Sequence, residues 1–378
     1  MKKILIIAGA RPNFMKIAPI IRALEHSSTL EYKLVHTGQH YDTAMSQSFF
    51  DELGIPTPHY NLNVGSGSHA VQTAAIMVKF EEVCIAEKPD IVMVVGDVNS
   101  TVACGLVAKK LQIELAHVEA GLRSGDRAMP EEINRLATDA ISDLLFVTEK
   151  NGIENLEKEG HPRDKISFVG HVMIDNLFYQ LERLKSKPPA IGKELKALIG
   201  KKYAACTLHR PSNVDNPETL SLLLSTLSAL SKTVPIIFPC HPRTLSNIKK
   251  FGLMHYCASW NPGEAINGTL LLTTPLGYMD FLYLWKDSVC VVTDSGGLQE
   301  ETTALKVPCI TMRTSTERPI TAEVGSNEVI GLDCEKLKVL FARAIEGTWK
   351  KSAIPDLWDG KASERIVGIL EGRAGSVE

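Results

Sequence analysis

The chain has 378 residues, more than one hydrophobic core commonly supports, so two domains of ordinary size are expected. With 44% hydrophobic and 22% charged residues it sits near average soluble usage, which excludes a disordered or fibrous chain. Forty-one basic against 44 acidic residues give a formal charge of −3, the wrong sign for a groove that follows a nucleic-acid backbone.

The first apolar run, Ile4–Ala10, stops at Arg11-Pro12 without a small-residue cleavage pattern, so it reads as a buried first strand and not a secretion signal. No stretch approaches the roughly 20 apolar residues that cross a bilayer. Strand-length runs follow at Tyr32–His36, Ile91–Val95, Ile113–Val118 and Leu144–Val147. A second series comprises Tyr203–Leu208, Val234–Phe238, Leu270–Thr273, Val289–Thr293 and Val307–Met312. Helix-period stretches separate them, and between Ile133 and Leu144 the apolar residues recur on one helix face. This alternation predicts two doubly wound α/β halves, each a parallel sheet of about five or six strands covered by helices. The break between them is expected between Gly170 and Gly200, with Lys185–Pro189 as connector. The eight cysteines form no Cys-x-x-Cys, and Cys206, Cys290 and Cys309 sit in apolar runs. Inert core thiols and a cytoplasmic location are expected.

Polar and glycine residues cluster just after the strands, where open parallel sheets bind ligands, so a shared cleft between the halves is the expected site. Asp294-Ser-Gly-Gly-Leu-Gln-Glu-Glu301 follows a strand and opens a helix, a phosphate cradle with Glu301 one turn on from Gly297. A plain strand-to-helix turn capped by Ser295 is the alternative. Gly9-Ala-Arg-Pro-Asn-Phe-Met-Lys16 places Arg11 and Lys16 at a helix start, where positive charge is unfavourable unless an anion binds. Pro19 predicts a local irregularity there. Asp97 and Glu119 end successive strands, and Glu131 opens the helix of Arg135; exposed capping or an i, i+4 ion pair is the competing reading. Clustered acids of this kind supply the pairs that proton transfer needs. His209 ends the first strand of the second half and suits a phosphate donor or an acid/base. A metal set from Cys240, His209 and His241, or from His36 and His40, has no recognised ligand spacing, and no metal is expected. No Gly-x-Gly-x-x-Gly follows the first strand, and no Gly-x-Ser-x-Gly is present, which disfavours a nicotinamide enzyme and an esterase.

Read together, these motifs resemble the non-hydrolysing UDP-N-acetylglucosamine 2-epimerases. The resemblance runs through Gly9–Pro19, His117-Val-Glu-Ala-Gly-Leu-Arg-Ser124, Met129–Arg135, Gly170-His-Val-Met-Ile-Asp175, Asp294–Glu301 and Thr316-Glu-Arg-Pro319. It implies the two-Rossmann-domain fold of type-B glycosyltransferases, with domains at 1–172 and 173–360 and a helix at about 361–378 returning to the first. It implies that Asp97, Glu119, Glu131 and His209 carry the chemistry, and that Arg11, Lys16 and Arg135 line the sugar and diphosphate. Phe281 would pack near uracil; Ser295, Gly296 and Gly297 would hold the diphosphate, Glu301 the ribose, and Arg318 would close the site, with Arg313 and His241 as lesser candidates. The implied reaction is anti elimination of UDP to 2-acetamidoglucal and re-addition with inversion at C2, without metal or organic cofactor. A homodimer is implied by the family alone, and UDP-sugar and UDP are the implied partners.

The chain departs from the family pattern at Gln39-His-Tyr-Asp42, part of an allosteric substrate loop in some members, and at Pro275–Phe281 near the nucleobase. Relatives acting on 2,3-diacetamido uronic sugars leave the hexose open. Hydrolysis to free N-acetylmannosamine, glycosyl transfer and a non-catalytic sensor are the competing functions.

Overall fold

The computed structural model describes residues 1–38 and 47–374; the Gln39–Asp42 segment, with His40, lies outside the described residues. The chain forms two units, residues 1–178 with 356–378, and 179–355.

The first unit is built on seven parallel strands, β1 (Lys2–Ala8), β2 (Leu30–His36), β3 (Tyr60–Asn61), β4 (Ile91–Val95), β5 (Glu114–Ala120), β6 (Leu144–Val147) and β7 (Ile166–Phe168). Their order is β3-β2-β1-β4-β5-β6-β7. Its helices begin with α1 (Arg11–Leu24), α2 (Gln47–Leu53), α3 (His69–Glu87), α4 (Asn99–Lys110), α5 (Pro130–Ile141) and α6 (Lys150–Lys158). Helix α7 (Val172–Ser186) carries the chain from the first unit into the second.

The second unit holds α8 (Ala190–Ile199), β8 (Ala204–Thr207), α9 (Pro211–Val214), α10 (Pro217–Ser231), β9 (Ile236–Pro239) and α11 (Pro242–Lys250). It continues with β10 (Ala258–Ser259), β11 (Leu270–Thr273), α12 (Tyr278–Trp285), β12 (Val291–Thr293), α13 (Gly296–Ala304) and β13 (Cys309–Thr311). It ends with α14 (Pro319–Glu323), β14 (Asn327–Val329) and α15 (Cys334–Glu346), and α16 (Ala362–Ala374) belongs to the first unit. The second sheet runs β10-β11-β9-β8-β12-β13-β14.

Among the described residues each sheet therefore has seven strands, where five or six were expected. The four strands without an apolar run, β3, β7, β10 and β14, are the four sheet edges and only two or three residues long. Central strands are buried on both faces, which is why β1 and β4 read as continuous apolar runs. In both sheets the strand order reverses beside the first strand, between β1 and β4 and between β8 and β12. Such switch points open a crevice at the carboxyl ends of the strands. The polar motifs stand there because proline starts the next helix just past the tip: Pro12, Pro130, Pro211, Pro242 and Pro319 all occupy a first helical turn. Helix α1 continues through Pro19 to Leu24, its Phe14, Ile17, Ile20 and Ile21 locked in the core, so the expected irregularity does not end it.

The Gly170–Asp175 motif is structural. Gly170 has φ +91°, and a Cβ there would stand 2.1 Å from the Leu357 carbonyl oxygen. Asp175 accepts the amides of Ala362 and Ser363 at 3.1 and 2.7 Å, capping α16. That helix then buries Ile366, Val367 and Leu370 in one cluster with α1. All eight cysteines are unpaired; burial raises the thiols of Cys206, Cys290 and Cys309, the last to about 11. Among the described residues no helix is long and apolar enough to cross a membrane.

Candidate active site

In the first unit the site grows from the tips of β1, β4 and β5. Asn13 fixes the turn after β1, accepting the amides of Gly9 and Ala10 at 3.1 and 2.9 Å and donating to the Val95 carbonyl at 3.3 Å. Lys16, one turn into α1, forms an ion pair with buried Glu119. Gly96 has φ +69°, and a Cβ there would lie 3.3 Å from Lys16 Nζ and 3.6 Å from Glu119 Oε2. Asp97 is the next residue, half-buried and ion-paired with Arg135. Lys16 and Glu119 thus meet beside Gly96 at the β4 tip, with Asp97 the next residue along the chain. Arg11 is exposed, its guanidinium 4.9 Å from the Phe49 ring centroid.

Helix α5 corrects the sequence reading. Its apolar stripe faces inward only in part: Ile141 packs on the core, but Ile133 is 49% exposed, while Glu132, Arg135, Thr138 and Asp139 are buried. The polar face wins because it is satisfied in place. Glu132 accepts the Ser124 and Gly125 amides at 2.9 and 3.2 Å and pairs with Arg135. Burial raises its carboxyl, but these bonds outweigh burial and hold it below the usual range. The competing reading, an exposed Glu131–Arg135 pair, is not what forms: Arg135 pairs with Asp97 and Glu132, and Glu131 is left half-buried without an ion pair among the described residues.

In the second unit, α13 starts at the tip of β12 with Ser295 at its N-cap, but the Ser295 side chain makes no cap bond. The first-turn amides of a helix have no intrahelical partner and attract anions. A Cβ on Gly297 would meet nothing within 4 Å, and one on Gly296 would meet only Arg313 Nη1 at 3.9 Å, so the approach is open. Two guanidiniums flank β12 from β8 and β13. Arg210 Nε and Arg313 Nη1 are buried without a hydrogen-bond partner among the described residues. Such donors beside a helix start suit an anion, although Arg313 Nη2 already pairs with Glu317 at 3.3 Å. Arg210 was not singled out by sequence, though it stands in the His209-Arg-Pro211 motif.

Asp294 is the second group that sequence reasoning left unassigned. Fully buried, it accepts the amides of His209 and Arg210, each at 2.9 Å, and Asn213 Nδ2 at 3.0 Å. Its Oδ1 lies 3.0 Å from His209 Nδ1. Burial raises this carboxyl; the His209 bond and the amides lower it further and keep it ionised. Nδ1 of His209 therefore carries hydrogen, and Nε2 remains for chemistry.

Glu301 is buried and accepts the Tyr278 hydroxyl at 2.7 Å. Phe281 is half-buried one turn beyond Tyr278 on α12. Arg318 is buried and ion-paired with Glu300. Gln299 joins the two motifs, donating to the Ser295 carbonyl at 3.1 Å and accepting the Thr316 hydroxyl at 2.7 Å. His241 is exposed and Cys240 buried, its thiol raised by burial to about 12; among the described residues no group of three His, Cys, Asp or Glu is placed to hold a metal.

The UDP-N-acetylglucosamine 2-epimerase family model matches residues 22–371. The chain is 43% identical over 370 residues to UDP-N-acetylglucosamine 2-epimerase of Methanocaldococcus jannaschii, covering 97% of this chain and 98% of the relative. It is 39% identical to UDP-2,3-diacetamido-2,3-dideoxy-D-glucuronate 2-epimerase of Pseudomonas aeruginosa, covering 97% of this chain and 99% of the relative. Among solved structures, the Methanocaldococcus jannaschii UDP-GlcNAc 2-epimerase in complex with UDP-GlcNAc and UDP matches with TM-score 0.81 and 42% identity, over 98% of this chain and 99% of that one. Two switch-point sites on two parallel sheets, with full-length similarity of this degree, place the chain in the UDP-N-acetylglucosamine 2-epimerase family.

Proposed function

We propose that the protein interconverts UDP-N-acetylglucosamine and UDP-N-acetylmannosamine. The C2 hydrogen is not next to a carbonyl, so the reaction proceeds by breaking the C1–O bond: UDP leaves with the bonding pair while a base takes the C2 proton and C1=C2 forms. UDP then adds back to 2-acetamidoglucal as C2 is protonated on the opposite face. Atoms and electrons balance without a cofactor.

In this reading Asp97, Glu119 and Glu131 supply the acid/base groups at the sugar, a contribution of roughly 10² to 10⁴ in rate. Lys16, Arg11 and Arg135 oppose the charge of substrate and carboxylates. His209, with Ser295, Gly296, Gly297 and Arg318, meets the diphosphate, where developing negative charge is stabilised. Glu301 takes the ribose and Phe281 packs near uracil. The observation that carries the proposal is the meeting of Lys16 and Glu119 at the β4 tip, beside the residue that precedes Asp97.

A homodimer in the cytoplasm, supplying precursors of surface polysaccharide, belongs to the same proposal. Sedimentation velocity tests the dimer. The 39% identity to a diacetamido-glucuronate epimerase favours a second substrate reading, in which the sugar is a UDP-2,3-diacetamido uronic acid.

Proton NMR in heavy water tests the function. Deuterium entering C2 of both UDP-N-acetyl hexosamines is the expected result. Free N-acetylmannosamine makes the enzyme hydrolysing, and exchange only with the diacetamido uronic sugar selects the second substrate. No exchange with either sugar overturns the proposal.

A further inference from the structure

Glu119 occupies a backbone conformation that an ordinary residue avoids: φ is +71°, and the β5–β6 register shifts between Val118 and Ala120. Such a conformation is strained and persists only where its surroundings enforce it. One carboxylate bonds the chain on both sides of Glu119. Asp139 on α5, fully buried, lies with Oδ1 2.6 Å from His117 Nδ1 and accepts the Gly121 amide on Oδ2 at 3.0 Å. It therefore grips the strand two residues before and two residues after Glu119. Through His117 it reaches further, since His117 Nε2 lies 2.8 Å from the Gly96 carbonyl, immediately before Asp97.

The protonation of this strap follows from its partners. Burial raises the Asp139 carboxyl, but His117 and Arg123 outweigh burial and keep it ionised, so it only accepts. A carbonyl also only accepts. Both nitrogens of buried His117 therefore face acceptors. Arg123 bonds Asp139 at 2.8 Å and Glu159 at 2.6 Å.

We infer that Asp139 is a positioning residue whose carboxylate, with His117, holds the β5 bulge so that Glu119 faces Lys16. A relaxed bulge shifts the strand by one residue, and side chains alternate faces, so Glu119 would turn away from Lys16. As a contribution to catalysis this rests on the function proposed above.

Three variants test it. Asp139→Ala removes both carboxylate acceptors of the strap and leaves His117 only the Gly96 carbonyl. The expected result is a fall of about 100-fold or more in kcat for C2 exchange, with KM and UDP affinity within about threefold. Asp139→Asn retains the bonds, its amide donating to a neutral His117 while its oxygen accepts from Gly121 and Arg123, and keeps kcat within about tenfold of wild type. His117→Gln keeps an amide donor within reach of the Gly96 carbonyl but loses the Nδ1 contact to Asp139, which stays on Gly121 and Arg123; it lowers kcat about tenfold at unchanged UDP affinity, and stands in if Asp139→Ala does not fold. Wild-type kcat in Asp139→Ala or in His117→Gln overturns the inference. So does loss of UDP affinity in proportion to kcat, or an Asp139→Asn variant no better than the alanine. A wild-type protein that exchanges neither sugar sinks the functional reading alone. The strap is then read in crystals of the same variants, where an intact Glu119–Lys16 contact in Asp139→Ala, or in His117→Gln if the alanine does not fold, overturns it.

Discussion

Tyr278 donates its hydroxyl hydrogen to Glu301 at 2.7 Å, and the carboxyl that receives it is buried. Burial raises Glu301 to about 7, with the Tyr278 bond pulling the other way and the neighbouring Glu300 charge adding to the rise. The unfolded chain releases this proton near 4.5, so between 4.5 and 7 the native state holds more protons. Stability must fall as pH rises through that window, by on the order of 3 kcal/mol in all. Glu301→Gln keeps an acceptor for Tyr278 without the charge. Urea midpoints at pH 5 and pH 8 should show the wild type losing stability and the variant holding level. Equal slopes would remove the buried charge from the account.

Asp97→Asn separates chemistry from binding. The substitution keeps an acceptor for Arg135 and removes the ionisable group at the β4 tip. C2 exchange should drop by about 10²-fold or more, while UDP titrated calorimetrically binds within about threefold of wild type. Parallel loss of both quantities would make Asp97 a structural anchor for Arg135.

How much of this was legible in the sequence depends on what each residue packs against. Long buried strands announce themselves, and Ile91–Val95 and Leu144–Val147 match the observed β4 and β6. Edge strands such as Tyr60–Asn61 pair on one side only and need no apolar run. Lys16, placed at a helix start by sequence, and Glu119, placed at a strand end, do meet. Helix α5 misled because periodicity assumes that apolar atoms seek the interior, whereas Arg135 and Asp139 reach it by finding opposite charges there. Asp294 and Arg210 stood inside quoted motifs, yet their importance lies in partners 80 or more residues away, which spacing along the chain does not record.

The two glycines after β5 should respond differently to a methyl group. Gly121 has φ +79°, and a Cβ would stand 2.3 Å from the Gly152 carbonyl oxygen, backbone against backbone. Gly125 has φ +75° with nothing within 4 Å. Gly125→Ala pays only the conformational penalty, about 1 kcal/mol. Gly121→Ala adds a clash that no rotamer relieves, and should cost on the order of 3 kcal/mol or prevent folding. Thermal melts of the pair decide it; equal shifts would mean that the Gly152 contact yields freely.

Asp294→Asn offers the sharpest reading of His209. In the wild type the ionised carboxylate fixes hydrogen on Nδ1, leaving Nε2 free to take or give a proton. An asparagine fits the same space: its oxygen can accept the His209 and Arg210 amides and Asn213, while its NH₂ turns to Nδ1. The imidazole must then carry its hydrogen on Nε2, the wrong tautomer for a base, with the fold preserved. If His209 acts in proton transfer, turnover falls about 10²- to 10⁴-fold while the melting temperature changes little. Nitrogen-15 NMR of the labelled ring should show neutral Nε2–H in the variant. Wild-type turnover with that tautomer present would restrict His209 to donating a hydrogen bond, a task that the Nε2–H form performs equally well.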